Sequence, residues 1–226
     1  MNTDKNTPRL LGAAFLFVFA ASIISGILLT SVVGSGSISD ILVSVSNDLT
    51  LMRFSILVGL VTSIGIVVLA VLLYVVLHKQ NKIIALVALG WWLAEAIILA
   101  VSKIGAFALI PLSLEFVEAG APESSYFQTL GDFLYHGVLK QGDDIHMLFY
   151  CLGGILWFYL FYRSRYIPRV LSVLGLAIES LALIGMVLLL LAVRVEMLFF
   201  YPIAVLELVV GLWLVIKGIG DGSETK

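Results

Sequence analysis

The stretch "FSILVGLVTSIGIVVLAVLLYVVLHKQNKIIALVALGWWLAEAIILAVSKIGAFALI", Phe54 to Ile110, joins two long apolar runs through the short basic turn from His78 to Lys82. Each run is long enough to cross a bilayer, since a helix rising about 1.5 Å per residue needs about 20 apolar residues for about 30 Å of hydrocarbon. The two runs therefore read as neighbouring spanning helices, Phe54 to Leu77 and Ile83 to Ile110. Working outward, four more stretches meet the same length: Leu10 to Thr30, Ile145 to Tyr162, Val170 to Val193 and Met197 to Ile216. The expected fold is all-α, a six-transmembrane-helix polytopic bundle forming a single integral membrane domain over residues 1–226. Lys5 and Arg9 before the first apolar run imitate a signal peptide, but the run is longer than a usual signal core. Ser31 to Asp40 also offers no small-x-small cleavage site, so the helix is expected to be retained.

Composition agrees with a lipid solvent. Of the 226 residues, 61% are hydrophobic and 12% charged, about half the charge of a soluble chain, and a protein of this size has too little interior to hide that much apolar surface. A net charge of -2 with 13 Lys and Arg excludes a nucleic-acid binder, which needs a concentrated basic surface. Cys151 has no second cysteine to pair with, and no dinucleotide, nucleotide or cysteine-pair motif points to a cofactor. The partners expected are membrane lipids and a small or amphipathic ligand.

The charges between spans give an orientation. Lys5, Arg9, Lys79, Lys82, Arg163, Arg165, Arg169, Lys217 and Lys226 fall on one side, and only Arg53, Lys140 and Arg194 on the other. The positive-inside rule places the first side, and with it both termini, in the cytoplasm. The long segment from Pro111 to Asp144, between the third and fourth spans, starts with a helix breaker. It carries Phe116, Tyr126, Phe127, Phe133, Leu134 and Tyr135 at intervals that predict an amphipathic outer segment of one or two short helices, partly ordered by burying Phe127, Phe133 and Tyr135.

Two hairpins resemble each other. "LYVVLHKQNKIIALVALGWWLAE" and "FYLFYRSRYIPRVLSVLGLAIE" share an aromatic, a basic turn, an apolar run with "LG" and then a glutamate, a pattern that duplication or common hairpin constraints would both produce. Those glutamates, Glu95 and Glu179, lie with Glu207 roughly 18, 17 and 14 Å from the cytoplasmic ends of their helices, all near the bilayer midplane. Ionised groups there cost several kcal/mol unless solvated, paired or protonated, so they are expected to face one internal polar site on the third, fifth and sixth spans and to share or retain a proton. Trp92, Lys103 and Tyr201 are candidates for the same substrate-binding site. The hydroxyls of Ser102 and Ser172 are candidate donors to the glutamates, while Lys103 has a slight preference for snorkelling outward over pairing with another helix.

A second polar cluster, "YHGVLKQGDDIHMLFYC", gathers His136, Asp143, Asp144 and His146. Asp143 and His146 stand three residues apart and are weak candidates for a metal site. The same residues suit helix capping or solvation at the headgroup level, and no HExxH set is present.

The stretches "YRSRYIPRVLSVLG" from Tyr162 and "ELVVGLWLVIKG" from Glu207, with "RLLGAAFLFVFAASIISGILL" from Arg9 and "WWLAEAIIL" from Trp91, resemble a bacterial family of multi-pass membrane proteins known as a domain of unknown function. The resemblance covers nearly the whole chain and implies six helices in a bacterial inner membrane, without a catalytic assignment. Members often carry an arginine ahead of the "EA" of the third helix, where this chain has Trp91 and Trp92, so no Arg–Glu pair is carried over. Three readings of function follow: a membrane-embedded binding or transport protein using the midplane carboxylates, a membrane enzyme acting on a lipid-like substrate near Asp143, Asp144 and His146, or a structural or regulatory protein whose glutamates fix packing.

Overall fold

The structure is a computed structural model that describes residues 7–122 and 125–219; Lys5 and Lys226, counted above among the basic residues, lie outside them. Eight α-helices follow in order: α1 Thr7–Val33, α2 Ile38–Asn47, α3 Leu49–Leu77, α4 Lys82–Glu118, α5 Tyr126–Asp132, α6 Gln141–Ser164, α7 Arg169–Leu190 and α8 Tyr201–Lys217. A π-helix, Phe133–Lys140, leads into α6, and a 3-10 turn, Met197–Phe200, leads into α8. Five helical stretches are long and apolar enough to cross a membrane: Thr7–Val33, Leu49–Leu77, Lys82–Glu118, Tyr126–Ser164 and Arg169–Leu190. They present large apolar side chains outward, among them Ile64, Ile83, Ile97, Phe107 and Val170, as a multi-pass membrane protein must. The sixth stretch expected to span is represented by α8, whose 17 residues lie at the short end of what a crossing requires.

Several hydroxyls inside the apolar helices are satisfied by their own helix. Thr30 and Ser31 donate back to the carbonyls of Gly26 and Ile27 at 2.9 and 2.8 Å, so neither hydroxyl faces lipid unpaired. The Asn81 side chain accepts from the Ile83 and Ile84 amides, both at 3.1 Å, and so starts α4 directly after the basic turn. The expectation that Pro111 would break this helix is corrected: α4 runs through it to Glu118. Proline removes one amide donor, and a long helix keeps its remaining hydrogen bonds on either side. The helix instead stops where Gly120, at φ +82°, lets the Gly120 and Ala121 amides close back on Val117 and Phe116 at 2.9 Å each.

The chain divides into two compact units, and α1, α3, α4 and α6 supply residues to both. The unit of residues 20–63 and 97–145 contains α2, which the hydropathy pattern did not separate from the loop after the first span. Its signal is local: Ser37 and Asp40 form a capping box, with the Ser37 amide donating to Asp40 at 2.8 Å and the Asp40 amide to the Ser37 hydroxyl at 3.3 Å. Those Ser37 contacts hold the exposed Asp40 carboxyl below the usual carboxylate range. Ile41, Leu42 and Val45 of α2 join a core with Phe116, Phe127, Tyr135 and Leu139. The segment after α4 is thus helical and partly buried, but through Phe127 and Tyr135; Phe133, two residues before Tyr135 and so on the opposite face, is 61% exposed. The π-helical turn aligns residues five apart, which sets Lys140 over the Tyr135 ring at 5.6 Å.

In the unit of residues 1–19, 64–96 and 146–226, glycines bring helices close. A Cβ on Gly12 of α1 would lie 2.6 Å from the Val215 backbone nitrogen of α8, so these two helices meet at backbone distance. Gly175 of α7 likewise leaves no space for a side chain beneath the Phe158 ring of α6.

A buried carboxylate cluster as the candidate functional site

The same unit holds Glu95 on α4, Glu179 on α7 and Glu207 on α8. They lie close enough for Glu179 and Glu207 to repel Glu95 when charged. Glu179 is fully buried and Glu95 is 4% exposed, while Glu207 is partly exposed. Their central neighbour is Tyr150 of α6, whose hydroxyl donates to Glu207 Oε1 at 2.9 Å. Tyr150 and the buried thiol of Cys151 also stand beside Glu179, without meeting hydrogen-bond geometry: both Glu179 oxygens, Glu95 Oε2 and the indole nitrogen of Trp157 are buried with no hydrogen-bond partner.

An aromatic wall adjoins the carboxylates. Trp92 stacks on Tyr150 with ring centroids 5.7 Å apart at 13°, meets Trp157 edge-on at 6.1 Å and Phe15 at 6.5 Å, and donates its indole N–H to the Tyr150 carbonyl at 3.0 Å. Two consecutive glycines of α6 make this possible. A side chain at Gly153 would overlap the Trp92 ring, and a Cβ at Gly154 would stand 2.8 Å from Glu179 Cδ. The carboxyl and the indole each occupy space that any other residue on α6 would fill.

The structure therefore brings together Glu95, Glu179, Glu207 and Trp92 of the residues singled out in the sequence. Tyr201 is not joined to them by any hydrogen bond and is 59% exposed at the first turn of α8. Lys103 belongs to the other unit, where it neither snorkels nor serves a glutamate: it is 8% exposed and its ammonium pairs with Asp143 at 2.9 Å. Gly59 of α3 lies beside this side chain, where a Cβ would stand 3.0 Å from Lys103 Cε. Ser102 donates to the same Asp143 oxygen at 2.9 Å and to its own helix at Leu99, and Ser172 donates to Pro168, so neither hydroxyl serves the glutamates. Asp143 is thereby committed to Lys103 and Ser102. Among the described residues no three His, Cys, Asp or Glu side chains converge as a metal site would require, so Asp143 and His146 lack a third ligand. His136 stands exposed, 3.8 Å from Asp132.

A profile described as a domain of unknown function, DUF4386, matches residues 10–218. The chain belongs to the DUF4386 family. No curated protein matches it, and no solved structure does. The DUF4386 match spans the carboxylate cluster, the Gly153–Gly154 pair and the Lys103–Asp143 ion pair together. Sequence reasoning had missed Tyr150, Gly153 and Gly154 within this DUF4386 chain. The available signal was a glycine pair in the centre of a span, which marks close helix contact and which hydropathy averages away.

Proposed function

We propose that this chain is a membrane-embedded binding or transport protein for a small or amphipathic molecule, with Glu95, Glu179 and Glu207 lining its site. The observation that carries the reading is Glu179, fully buried with neither carboxyl oxygen hydrogen-bonded. A carboxylate so placed is stable only with a counter-charge or a proton, and a group kept for packing alone would have its donors supplied by the fold, as Tyr150 supplies Glu207. The alternative of a lipid-acting enzyme centred on the outer cluster is weakened by the commitment of Asp143 to Lys103 and Ser102.

Glu179→Gln is expected to change unfolding free energy by less than about 1 kcal/mol while removing ligand binding or flux, because no protein donor depends on the charge. Thermal unfolding of Glu179→Gln and Glu179→Ala in lipid checks this. If glutamine leaves binding or flux unchanged while alanine costs about 2 kcal/mol or more, the side chain serves packing and the proposal falls.

The same reading places the chain in a bacterial inner (plasma) membrane with six crossings and both termini cytoplasmic. Its sixth crossing combines α8, about 25 Å long, with about 8 Å from the 3-10 turn. The basic asymmetry between the two sides supports it. Reporter fusions at Lys79 and Arg163 should read cytoplasm, and fusions at Pro122 and Arg194 should read outside; one on the wrong side would overturn this topology.

A further inference from the structure

Among the described residues, the groups that act electrostatically on the three glutamates are acidic or neutral. Glu95 feels Glu207 and Glu179, Glu179 feels Glu207, and the remaining neighbours are the Tyr150 hydroxyl and the Cys151 thiol. Among the described residues, no lysine or arginine forms an ion pair with any of the three carboxyl groups. Beside them stand the apolar rings of Trp92, Tyr150 and Trp157, with Trp92 stacked on Tyr150 and edge-on to Trp157. Trp92 precedes Glu95 by one helical turn on α4, so ring and carboxyl lie on a common face. Trp92 and Glu179 also rest over adjacent residues of α6, Gly153 and Gly154. An aromatic wall joined to unpaired buried carboxyls attracts positive charge with an apolar body, repels anions, and offers a neutral molecule only the wall.

We propose that this site takes a monovalent organic cation, an amine or quaternary ammonium carrying an apolar group, with Glu179 as its principal counter-charge, Glu95 as a second, and Trp92, Tyr150 and Trp157 against its apolar part; this assignment rests on the binding reading above. The unpartnered oxygens of Glu179 and Glu95 receive the cation. The buried indole N–H of Trp157, which is likewise unpartnered, is available to an acceptor atom on the same molecule.

The test titrates the full chain in phosphatidylcholine nanodiscs with three probes of similar shape, following tryptophan fluorescence against protein-free discs. The probes are benzyltrimethylammonium, its uncharged isostere neopentylbenzene, and the anion benzenesulfonate. The expected result is saturable binding of benzyltrimethylammonium about tenfold or more tighter than neopentylbenzene, with no binding of benzenesulfonate. Glu179→Gln and Glu95→Gln should each weaken the cation about tenfold and leave neopentylbenzene unchanged, which a general loss of folding would not do. Equal affinity for cation and isostere, or preference for the anion, overturns the cation class while leaving a binding site in place. No saturable binding of any probe also overturns it, and the stability comparison of the Glu179 variants then decides separately whether the binding reading stands.

Discussion

Replacing Lys103 with methionine is expected to cost about 2–3 kcal/mol of unfolding free energy, less than for a fully buried ion pair because the Asp143 side chain keeps 28% of its surface exposed. The ammonium lies 2.9 Å from Asp143 Oδ1, and without it that carboxylate keeps only the neutral hydroxyl of Ser102 in place of a cation. Both charges stand in the same compact unit, on α4 and α6, so the pair fixes how the start of α6 meets α4. The double variant Lys103→Met/Asp143→Leu should recover most of the loss, because it removes the stranded charge along with the pair. Denaturant unfolding of the two variants in bicelles provides the measurement. A single variant as stable as the parent, or a double variant no better than the single, would show that the pair is solvated and contributes little.

Gly153→Val is expected to destabilise by about 3 kcal/mol, the upper part of the usual range for overpacking. The Trp92 ring occupies the space the new side chain needs, and it cannot yield easily: it is held by its bond to the Tyr150 carbonyl, by stacking on Tyr150 and by the Trp157 edge. Because Gly154 seats Glu179, the displacement should also reach the carboxylate cluster and change the near-ultraviolet dichroism of the tryptophans. Gly90→Ala is the control. Nothing lies within 4 Å of a Cβ built there, so it should be neutral or stabilise by up to about 1 kcal/mol, as alanine for glycine inside a helix does. Equal effects from both substitutions would mean that α6 shifts freely and that the close approach at Gly153 is not a constraint.

The contrast between Gly90 and Gly175 also shows where reading a sequence by pattern reaches its limit. Both belong to the matching "LG" of the two similar hairpins, and each precedes a buried glutamate. One has open space beside it and the other lies under the Phe158 ring. The pattern carries hydropathy and turn chemistry, which the hairpins share, but not the neighbour each helix face meets. The segment after α4 shows the same limit: its aromatics signal order, but which of Phe133 and Tyr135, two residues apart and so on opposite helix faces, turns inward depends on the neighbour that the helix meets. Pro111 misled for a related reason, since a helix tens of residues long outlasts the loss of one amide donor.

What the sequence determined by itself are the properties each segment carries alone. Runs of apolar residues dictate helices in a lipid solvent, where every backbone polar group must be paired within its own segment. Rise per residue predicts one level for Glu95, Glu179 and Glu207. Only the tertiary structure decided which donor meets which acceptor. Tyr150 is 57 residues from Glu207 and 58 from Trp92 in sequence, and Lys103 is 40 from Asp143. Whether such groups meet depends on how each helix is rotated about its axis and how near its neighbour comes. Here Gly153 and Gly154 set that nearness by the side chains they lack, a property that exists only once two helices stand side by side.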